Sequence, residues 1–538
     1  MAVNILSKKE LAREGDWAPS LSAALAESDE VFIPAGRYRM STVDIPAGKT
    51  VYGDGEGSVI VPLRRRLFNI TGSVTATAPL AADAADHAKN FRLAADIGLE
   101  SGDLVYLMSQ RNCQILADCG REWTLGRTYS KGFTCFFAEF LHVCEVAPDG
   151  MGFAAKTECV FPGYCADGSR EHAPKKPHTV RGDYPYMRQA ATVSRIAPAR
   201  GVILRDLNIS ECRGGTVVML RWAEQCRIER VRFSSSADSE PERGLIFVYI
   251  AESADCTVSG AEFCVPKRPP RRYDYKWADY WSYNTARIVS SQRCGFENCR
   301  SDFSTHAYEI GKADKHGASS GCFVRNCRAA GAVWSGVFVG GGSYDTEIRG
   351  CRVTDSAQGI VSCGRKNLIA DNRVEICADP QADYYYVKKR DGGTAAIALI
   401  EGYSIDSTVC GNTVSGADTA FLIRDGYEDD NKFEYGSILL TGNRARNCGR
   451  AVMVYRNTSN CGANEFRLVL RGNEFLTDQK ESGGAIVRDA EACVVMEGGN
   501  RIAGYGEIEE CLPEERRCCR RAPRGADVLE RDPQAPTE

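Results

Sequence analysis

One short pattern recurs along the second half of the chain and constrains the fold more than any other feature. Alternating apolar residues with a period of two indicate a β-strand. Asn and Gly then supply the left-handed backbone that a tight bend requires. The pattern runs apolar-x-apolar-x-[Gly/Asn/Asp]-[Asn/Cys]-x-apolar, and its copies begin at residues 226, 294, 322, 346, 367, 407, 438 and 468 as CRIERVRF, CGFENCRS, CFVRNCRA, TEIRGCRV, NLIADNRV, STVCGNTV, ILLTGNRA and LVLRGNEF.

Each copy is followed by a further short apolar strand, such as GLIFVYI at 244, SGVFVGG at 335, AAIALIE at 395 or TAFLIRD at 419. Where no insertion intervenes, the repeat is about 22 to 28 residues long. A leucine-rich repeat has a similar period, but it needs a Leu-x-x-Leu-x-Leu frame and helical returns. These β-rich, Asn-turned segments instead predict an all-β fold, a single-stranded right-handed parallel β-helix whose turn asparagines form ladders.

The start of the chain predicts a cap. Residues Leu21 to Ala26 form a short amphipathic helix with Pro19 near its first turn, and a helix suits the open end of a solenoid. We expect the cap and first coils in residues 1–60 and the parallel β-helix in 61–505. Large insertions are expected at 101–190, 265–284 and 378–393, followed by a polar tail at 506–538.

The chain has 24 cysteines, and many occupy one place in the repeat. Cys299, Cys327 and Cys351 each follow Asn or Gly and precede Arg. Free cysteine packs like a small hydrophobe, so this series predicts a stack of reduced side chains in the core, ahead of disulfides or a metal. We find no Cys-x-x-Cys pairs at zinc-finger spacing and predict no metal site.

Charge and hydropathy limit the partners. The net charge is -4 and the pI is about 6.0, which gives no reason to expect nucleic acid or an anionic membrane. No stretch approaches the roughly 18 apolar residues of a membrane span. The opening MAVNILSKKELAREGDW has no apolar core of a signal peptide, so a cytoplasmic protein is expected, with a phage particle as the alternative.

The segment GDWAPSLSAALAESDEVFIPAGRYRM, followed by VYGDGEGSVI, resembles the N-terminal cap of the pectin-lyase-like superfamily. That group includes pectate lyases, polygalacturonases, chondroitinase B, alginate lyases, inulin fructotransferases and phage tailspike depolymerases. The resemblance covers roughly residues 10 to 505. It implies a parallel β-helix and an oligo- or polysaccharide bound in a groove along one sheet. Fold does not fix the reaction, which must be argued from the site.

The densest group of titratable residues lies in CRSDFSTHAYEIGKADKHG, from Cys299 to Gly317. A glycosidase needs two carboxyl groups that flank the bond, and Glu309 and Asp302 are the candidates. If Tyr308 and Ile310 point inward, Glu309 points outward, and Asp302 in the preceding turn comes close to it. The alternative is a solvated, charged turn.

A polysaccharide lyase instead needs a base and a cation that neutralises a uronate. His306 or Lys312 would then be the base, and a Ca²⁺ ion is possible, whereas a hydrolase is expected to need no cofactor. The segment FENCRSDFSTHAYEIG also resembles the carboxylate-bearing coil of inulin fructotransferases, which implies Glu297, Asp302 and Glu309 as counterparts. No calcium-site pattern of pectate lyases and no paired aspartates of polygalacturonases are evident.

The insertions carry the candidate binding residues. VPKRPPRRYDYKWADYWSYN has five basic residues and six Tyr or Trp, and aromatic faces stack on sugars while Arg binds carboxylates or sulfates. ADYYYVKKRDGG is similar, and Trp334 follows Glu309 by about one coil. A packed loop, a subunit interface or core packing is the alternative. The candidates are Arg271, Arg272, Tyr273, Trp277, Tyr280, Trp281, Trp334, Lys388 and Arg390.

Together these features predict a carbohydrate-active enzyme, a glycoside hydrolase first and a uronate lyase second. A non-catalytic glycan-binding β-helix of the tailspike type is the alternative from another class. Long insertions narrow a groove into a pocket, which favours short chains or exo action. A homo-oligomer, trimer or dimer, is compatible with the sequence.

Overall fold

The structure is a computed structural model. It describes residues 2–85, 87–110, 136–161, 164, 166, 191–235, 244–266, 284–311, 318–332, 334–340, 343–376, 394–400, 406–424, 435–455, 465–478, 485–488, 493–506 and 509–510.

Most described strands fall into three parallel sheets, in which each strand pairs with its counterparts in the preceding and following coils. Every full coil adds one strand to each sheet in a fixed order, as in Gly295–Glu297 (sheet 1), Arg300–Asp302 (sheet 2) and His306–Gly311 (sheet 3). The predicted all-β fold, a right-handed parallel β-helix, is therefore confirmed.

Sheet 1 contains 14 described strands. They are Val3–Asn4, Glu30–Ile33, Thr50–Gly53, Ile203–Arg205, Arg227–Glu229, Thr257–Ser259, Gly295–Glu297, Phe323–Arg325, Glu347–Arg349, Leu368–Ala370, Ser407–Cys410, Tyr435–Thr441, Glu465–Arg471 and Cys493–Met496. Sheet 2 contains 13 described strands. They are Gly36–Met40, Ser58–Pro62, Asn208–Cys212, Arg232–Ser235, Glu262–Cys264, Arg300–Asp302, Arg328–Ala330, Arg352–Thr354, Arg373–Glu375, Thr413–Ser415, Arg444–Arg446, Glu474–Leu476 and Arg501–Ala503.

Sheet 3 also contains 13 described strands, and its outer face carries the candidate site. They are Val43–Asp44, Phe68–Thr71, Gly215–Arg221, Leu245–Ala251, Asn284–Val289, His306–Gly311, Ser335–Val339, Gln358–Ser362, Ala395–Ile400, Thr419–Arg424, Arg450–Tyr455, Ile486–Arg488 and Glu509–Glu510. A short parallel pair, Ala199–Arg200 and Ala223–Glu224, lies at the corner that follows sheet 3.

The three sheets enclose one continuous apolar core that runs from Ile5 to Ile486. Because successive side chains of a strand point to opposite faces, apolar residues at alternate positions enter this core. In strand His306–Gly311, Tyr308 and Ile310 are fully buried members of the core, so Glu309 between them projects from the outer face. This orientation was predicted from the sequence and is confirmed.

The bend between sheets 1 and 2 has the backbone that the repeat predicts. The residue at the bend has a positive φ in successive coils, for example 54° at Asn298, 65° at Gly350 and 56° at Asp371. The next residue enters a ladder: the side-chain amide of Asn412 donates to Asn443 Oδ1 at 2.9 Å and to the backbone carbonyl of Ile369 at 2.8 Å. The ladder asparagines are Asn372, Asn412, Asn443, Asn473 and Asn500.

Cysteines occupy the same ladder position in the preceding coils. Cys299, Cys327 and Cys351 are free and buried, and the thiol of Cys299 donates to the carbonyl of Val258 at 3.4 Å. The two series join where the backbone N–H of Cys351 donates to Asn372 Oδ1 at 2.8 Å. The predicted stack of reduced cysteines is therefore confirmed for these residues, and thiols replace amides along one continuous line of hydrogen bonds.

The first coil is covered by helices. The α-helix Ala18–Glu27 has a proline in its first turn and buries Leu21, Ala24 and Leu25 against the first strands, which confirms the predicted capping helix. The 3₁₀ helix Ile5–Leu11 packs against it, and a second 3₁₀ helix, Gly55–Gly57, lies at the bend between strands Thr50–Gly53 and Ser58–Pro62. No helix within the described ranges has both the length and the apolar character needed to cross a membrane.

An antiparallel sheet of six described strands is inserted after the second coil. Its strands, in spatial order, are Ser73–Pro79, Thr192–Ala197, Leu104–Gln110, Phe136–Val146, Gly152–Ala155 and Asn90–Arg92. The predicted boundary of 101–190 was too narrow, because the inserted sheet starts at Ser73 and ends at Ala197. The alternating apolar pattern of its first strand does not differ from that of a solenoid strand, so the sequence did not separate the two.

The inserted sheet packs on the corner that follows sheet 3. Tyr106 and Phe140 contact Trp222 with ring centroids 5.2 Å and 6.1 Å apart. On the opposite face of the inserted sheet, burial raises the pKa of the Glu139 carboxyl to about 7, although the Tyr164 hydroxyl donates to it at 2.6 Å. The insertion is thus a fixed wall beside sheet 3. The insertions predicted at 265–284 and 378–393 and the tail at 506–538 lie almost entirely outside the described residues.

The asparagine ladder gives a first prediction. Replacing Asn412 by Ala removes the acceptor of the Asn372 backbone N–H and side-chain amide and the side-chain donor to the Ile369 carbonyl, so we expect a loss of about 2–3 kcal/mol in the free energy of unfolding. Asn412→Cys is expected to lose less stability than Asn412→Ala, because the thiol of Cys351 occupies the same ladder position in an earlier coil.

Chemical denaturation measures these differences. Thr413→Ala is the matched control, since the next residue along the chain is exposed and its loss is expected to change stability by less than about 0.5 kcal/mol. Equal stability of Asn412→Ala and Thr413→Ala would contradict the ladder as a source of stability.

Candidate active site on sheet 3

Glu309 is the centre of the candidate site, and it stands in a straight row of outward residues. Its register partner in the preceding coil is Arg287, and in the following coil it is Phe338. The Nε of Arg287 lies 3.0 Å from Glu309 Oε1, so the guanidinium and the carboxylate form an ion pair. Only 4% of Glu309 is exposed, which places a charged group in a largely water-excluded position on the outer face.

Tyr249 continues the row one coil before Arg287. The guanidinium carbon of Arg287 lies 6.0 Å from the centroid of the Tyr249 ring. Burial raises the pKa of the Tyr249 phenol, and the adjacent Arg287 opposes that rise. The negative charges of Glu309 and Glu252 raise the pKa of this phenol further, so both carboxylates lie close enough to interact with it.

A second ion pair lies on the other side of Tyr249. Glu252 follows strand Leu245–Ala251, and its Oε2 is 2.5 Å from Arg221 Nε. Only 2% of Glu252 is exposed, whereas the Arg221 side chain is about half exposed at 47%. Two carboxylates paired with arginines therefore lie near Tyr249, Glu309 on the outer face of sheet 3 and Glu252 at the corner that follows this sheet.

His306 begins the strand that contains Glu309, and it is enclosed by aromatic rings. Its ring centroid lies 4.8 Å from that of Phe338 and 5.5 Å from that of Trp334. Its Nδ1 is 2.6 Å from the Ser335 hydroxyl. Burial lowers the pKa of His306 to about 4, an effect that Glu309 opposes and Arg287 reinforces. The imidazole is therefore neutral near pH 7.

The structure does not place the predicted carboxylate pair on one sheet. Asp302 ends strand Arg300–Asp302 of sheet 2, where its Oδ2 is 2.9 Å from Arg300 Nη2. Glu297, the third carboxylate in the resemblance to inulin fructotransferases, ends a strand of sheet 1. One coil thus carries Glu297, Asp302 and Glu309 on three different sheets, because the chain bends twice between them.

Trp334 is the predicted binding residue that the structure does place at the site, against His306. The remaining predicted residues lie outside the described residues. They are Lys312, Arg271, Arg272, Tyr273, Trp277, Tyr280, Trp281, Lys388 and Arg390.

Sequence reasoning missed Arg287, Tyr249, Arg221 and Glu252. A signal was present, because Tyr249 lies between the core residues Val248 and Ile250, as Glu309 lies between Tyr308 and Ile310. Aligning the outward positions of successive repeats, rather than the inward ones, would have placed Tyr249, Arg287 and Glu309 in one row.

A second polar cluster lies where the insertion meets the solenoid. His142 Nε2 is 2.9 Å from Glu224 Oε1, and ligand atoms of His142, Glu224 and Asp255 lie within 4.8 Å of one another. Each carboxylate already binds an arginine: Arg200 lies 2.6 Å from Glu224, and Arg293 lies 2.7 Å from Asp255. A cation there would meet two guanidinium groups, so we assign the cluster to the attachment of the insertion.

The environment of His306 gives a second prediction. In an NMR titration of the histidine side chains, the His306 imidazole is expected to remain neutral at pH 6 and to titrate near pH 4. Its signals are assigned by comparison with His306→Asn. Titration of His306 near the ordinary value of about 6.5 would contradict the burial described above.

Comparison with solved structures identifies the fold. The tailspike protein of Pseudomonas phage LKA1 matches with a TM-score of 0.59 at 13% identity, covering 92% of this chain and 83% of that one. The tailspike of Acinetobacter baumannii bacteriophage AP22, solved with a capsular saccharide, gives 0.58 at 10% identity, covering 94% and 74%.

The catalytic unit of an α-1,3-glucanase from Streptomyces thermodiastaticus gives a TM-score of 0.50 at 10% identity and covers 94% of this chain and 69% of that one. A scan of protein-family models and a search of curated proteins found no match. The chain therefore has the right-handed parallel β-helix fold of these structures.

Proposed function

We propose that this protein is a carbohydrate-active enzyme that cleaves glycosidic bonds, and that it is a glycoside hydrolase with Glu309 as a catalytic carboxylate. The observation that carries the proposal is a carboxylate that projects from the outer face of sheet 3, is largely buried and is held by Arg287. Glycosidases use carboxyl groups as acid, base or nucleophile, and their positions must be fixed before the substrate binds.

The surroundings of Glu309 support a sugar as the substrate. Phe338 is the register partner of Glu309, and the Trp334 ring packs against the ring of His306 in the same strand as Glu309. Aromatic side chains bury large apolar areas and suit the carbon-bound hydrogens of a pyranose ring. Solved structures of the same fold include an α-1,3-glucanase and a tailspike in complex with a capsular saccharide, which supports the same substrate class.

For the second carboxyl group we propose Glu252 in place of Asp302. Glu252 lies at the corner directly after strand Leu245–Ala251 of sheet 3, and its carboxylate, like that of Glu309, raises the pKa of the Tyr249 phenol, whereas Asp302 belongs to sheet 2. Arg221 holds Glu252 as Arg287 holds Glu309. A glycan that lies along the row would pass Tyr249 between the two carboxylates.

A lyase that acts beside a uronate is the second candidate. The observation that favours it is the neutral imidazole of His306, which can accept a proton, close to Arg287, which can pair with a uronate carboxylate. A screen of plant, algal and host oligosaccharides separates the two. A hydrolase gives products that gain one water, and a lyase gives unsaturated uronates that absorb ultraviolet light without gaining water.

The role of Glu309 gives a third prediction. On the substrate found in the screen, Glu309→Gln is expected to lower kcat by a factor of about 10² to 10⁴, because the amide cannot transfer a proton or act as a nucleophile. The matched control is Glu297→Gln, which changes a carboxylate of the same coil on sheet 1 and is expected to leave kcat within about twofold. Full turnover by a folded Glu309→Gln variant would remove Glu309 from the reaction.

The choice of second carboxylate gives a fourth prediction. Glu252→Gln is expected to lower kcat by at least about tenfold more than Asp302→Asn does, since each change replaces one carboxylate by its amide. Steady-state kinetics with circular dichroism of each variant make the comparison. The reverse order of effects would return the role to Asp302.

A further inference from the structure

Three polar residues stand in register at the first position of successive strands of sheet 3. They are His306, Ser335 and Gln358. His306 Nδ1 and the Ser335 hydroxyl are 2.6 Å apart, which joins the first two coils of the row. All three are almost fully buried, but they lie outside the core. Ala307 and Tyr308 both face the core, so His306 before them points outward against Phe338, and Ala395, the register partner of Gln358, belongs to a separate cluster outside the core.

Gln358 carries the strongest indication of a ligand. Only 4% of this residue is exposed, and its Oε1 has no hydrogen-bond partner among the described residues. An acceptor buried without a donor costs about 1–3 kcal/mol, so such atoms are rare in native proteins and call for an explanation. The missing partner is a donor, such as a hydroxyl group.

Two aromatic residues flank this row. Trp334 and Phe338 are both partly exposed, and both rings lie next to the His306 ring. Trp334 also fixes the strand of Gln358, since its carbonyl accepts the backbone N–H of Gln358 at 2.7 Å. An apolar wall beside hydroxyl-binding groups is the combination that a pyranose requires, because its ring hydrogens are apolar and its edge is polar.

The charges around the row indicate which sugar fits. Burial lowers the pKa of His306 to about 4, so its ring carries no charge near pH 7. Glu309 and Arg287 stand on the neighbouring row and already neutralise each other. Beyond Gln358 the register positions are Ala395 and Thr419, which are uncharged, and Arg450 follows three coils away from Gln358. A uronate or sulfate beside Gln358 would find no cationic side chain at the two adjacent register positions, Ser335 and Ala395.

We propose that His306, Ser335 and Gln358, flanked by Trp334 and Phe338, form a subsite for an uncharged sugar residue next to Glu309. The subsite rests on the proposed function in that it places the substrate beside the catalytic carboxylate. Gln358 accepts a hydrogen bond from a sugar hydroxyl, and one aromatic ring covers the face of the sugar. The substrate is then neutral at the residue that occupies this subsite.

The test measures binding, so that it does not depend on turnover. The Glu309→Gln variant is applied to a microarray of neutral hexose oligosaccharides and of uronate-containing oligosaccharides. The tightest ligand is then titrated by calorimetry into that variant and into the same variant carrying Gln358→Met, which keeps the size of the side chain and removes the acceptor.

The expected result is binding to neutral oligosaccharides that Gln358→Met weakens roughly three- to tenfold. The melting temperature is expected to stay the same or to rise, because the change removes an unpartnered buried acceptor. A purely structural glutamine would show the opposite, with lower stability and unchanged affinity. Thr413→Ala in the same background is the control for an unrelated substitution.

Three outcomes overturn the subsite. These are binding confined to uronate-containing ligands, no binding to any ligand on the array, and an affinity for neutral ligands that Gln358→Met leaves unchanged. The proposed function fails separately. Gln358-dependent binding of neutral glycans by a protein that cleaves none of them would support the subsite and refute the enzyme. Cleavage confined to uronate-containing glycans would support the enzyme and refute the subsite.

Discussion

The ladder at the bend between sheets 1 and 2, from Cys299 to Asn500, fixes the register of the coils that it joins. An amide such as that of Asn443 binds the next asparagine of the ladder and a carbonyl of the preceding coil at the same time. A shift of one strand by one residue would break both bonds and would also turn its apolar side chains outward. Each coil is therefore stacked on the last with equivalent residues about 4.8 Å apart.

Fixed register is what brings the candidate site together. Tyr249, Arg287, Glu309 and Phe338 are far apart in sequence but adjacent in space, because they hold the same position in four consecutive strands of sheet 3. Their spacing depends on backbone pairing and not on loop conformation. A carboxylate on such a scaffold keeps its place relative to Arg287, which is the condition for a reaction that depends on position.

The sequence predicted most of the fold because the physics of each coil is local. The αL residue at Asn298, the ladder cysteine after it and the inward Tyr308 all follow from short patterns, and so does the outward direction of Glu309. The partner of Glu309 does not follow from such a pattern. In an alignment of the repeats, Arg287 falls opposite Glu309 only when the insertion at 265–284 is left out. That insertion contains arginines of its own, and the sequence prediction chose those instead.

The row that contains Glu309 changes character at that residue. Tyr249 and Arg287 precede it, whereas the register positions that follow are occupied by apolar side chains. These are Phe338, Val361, Ala398, Leu422 and Met453, most of which form one buried cluster outside the core. A glycan along this row would meet charged and phenolic groups on one side of Glu309 and apolar groups on the other. Among the described residues, the aromatic side chains of Trp334 and Phe338 and the acceptor of Gln358 meet beside that boundary, which is why we assign the subsite and the carboxylate to one site.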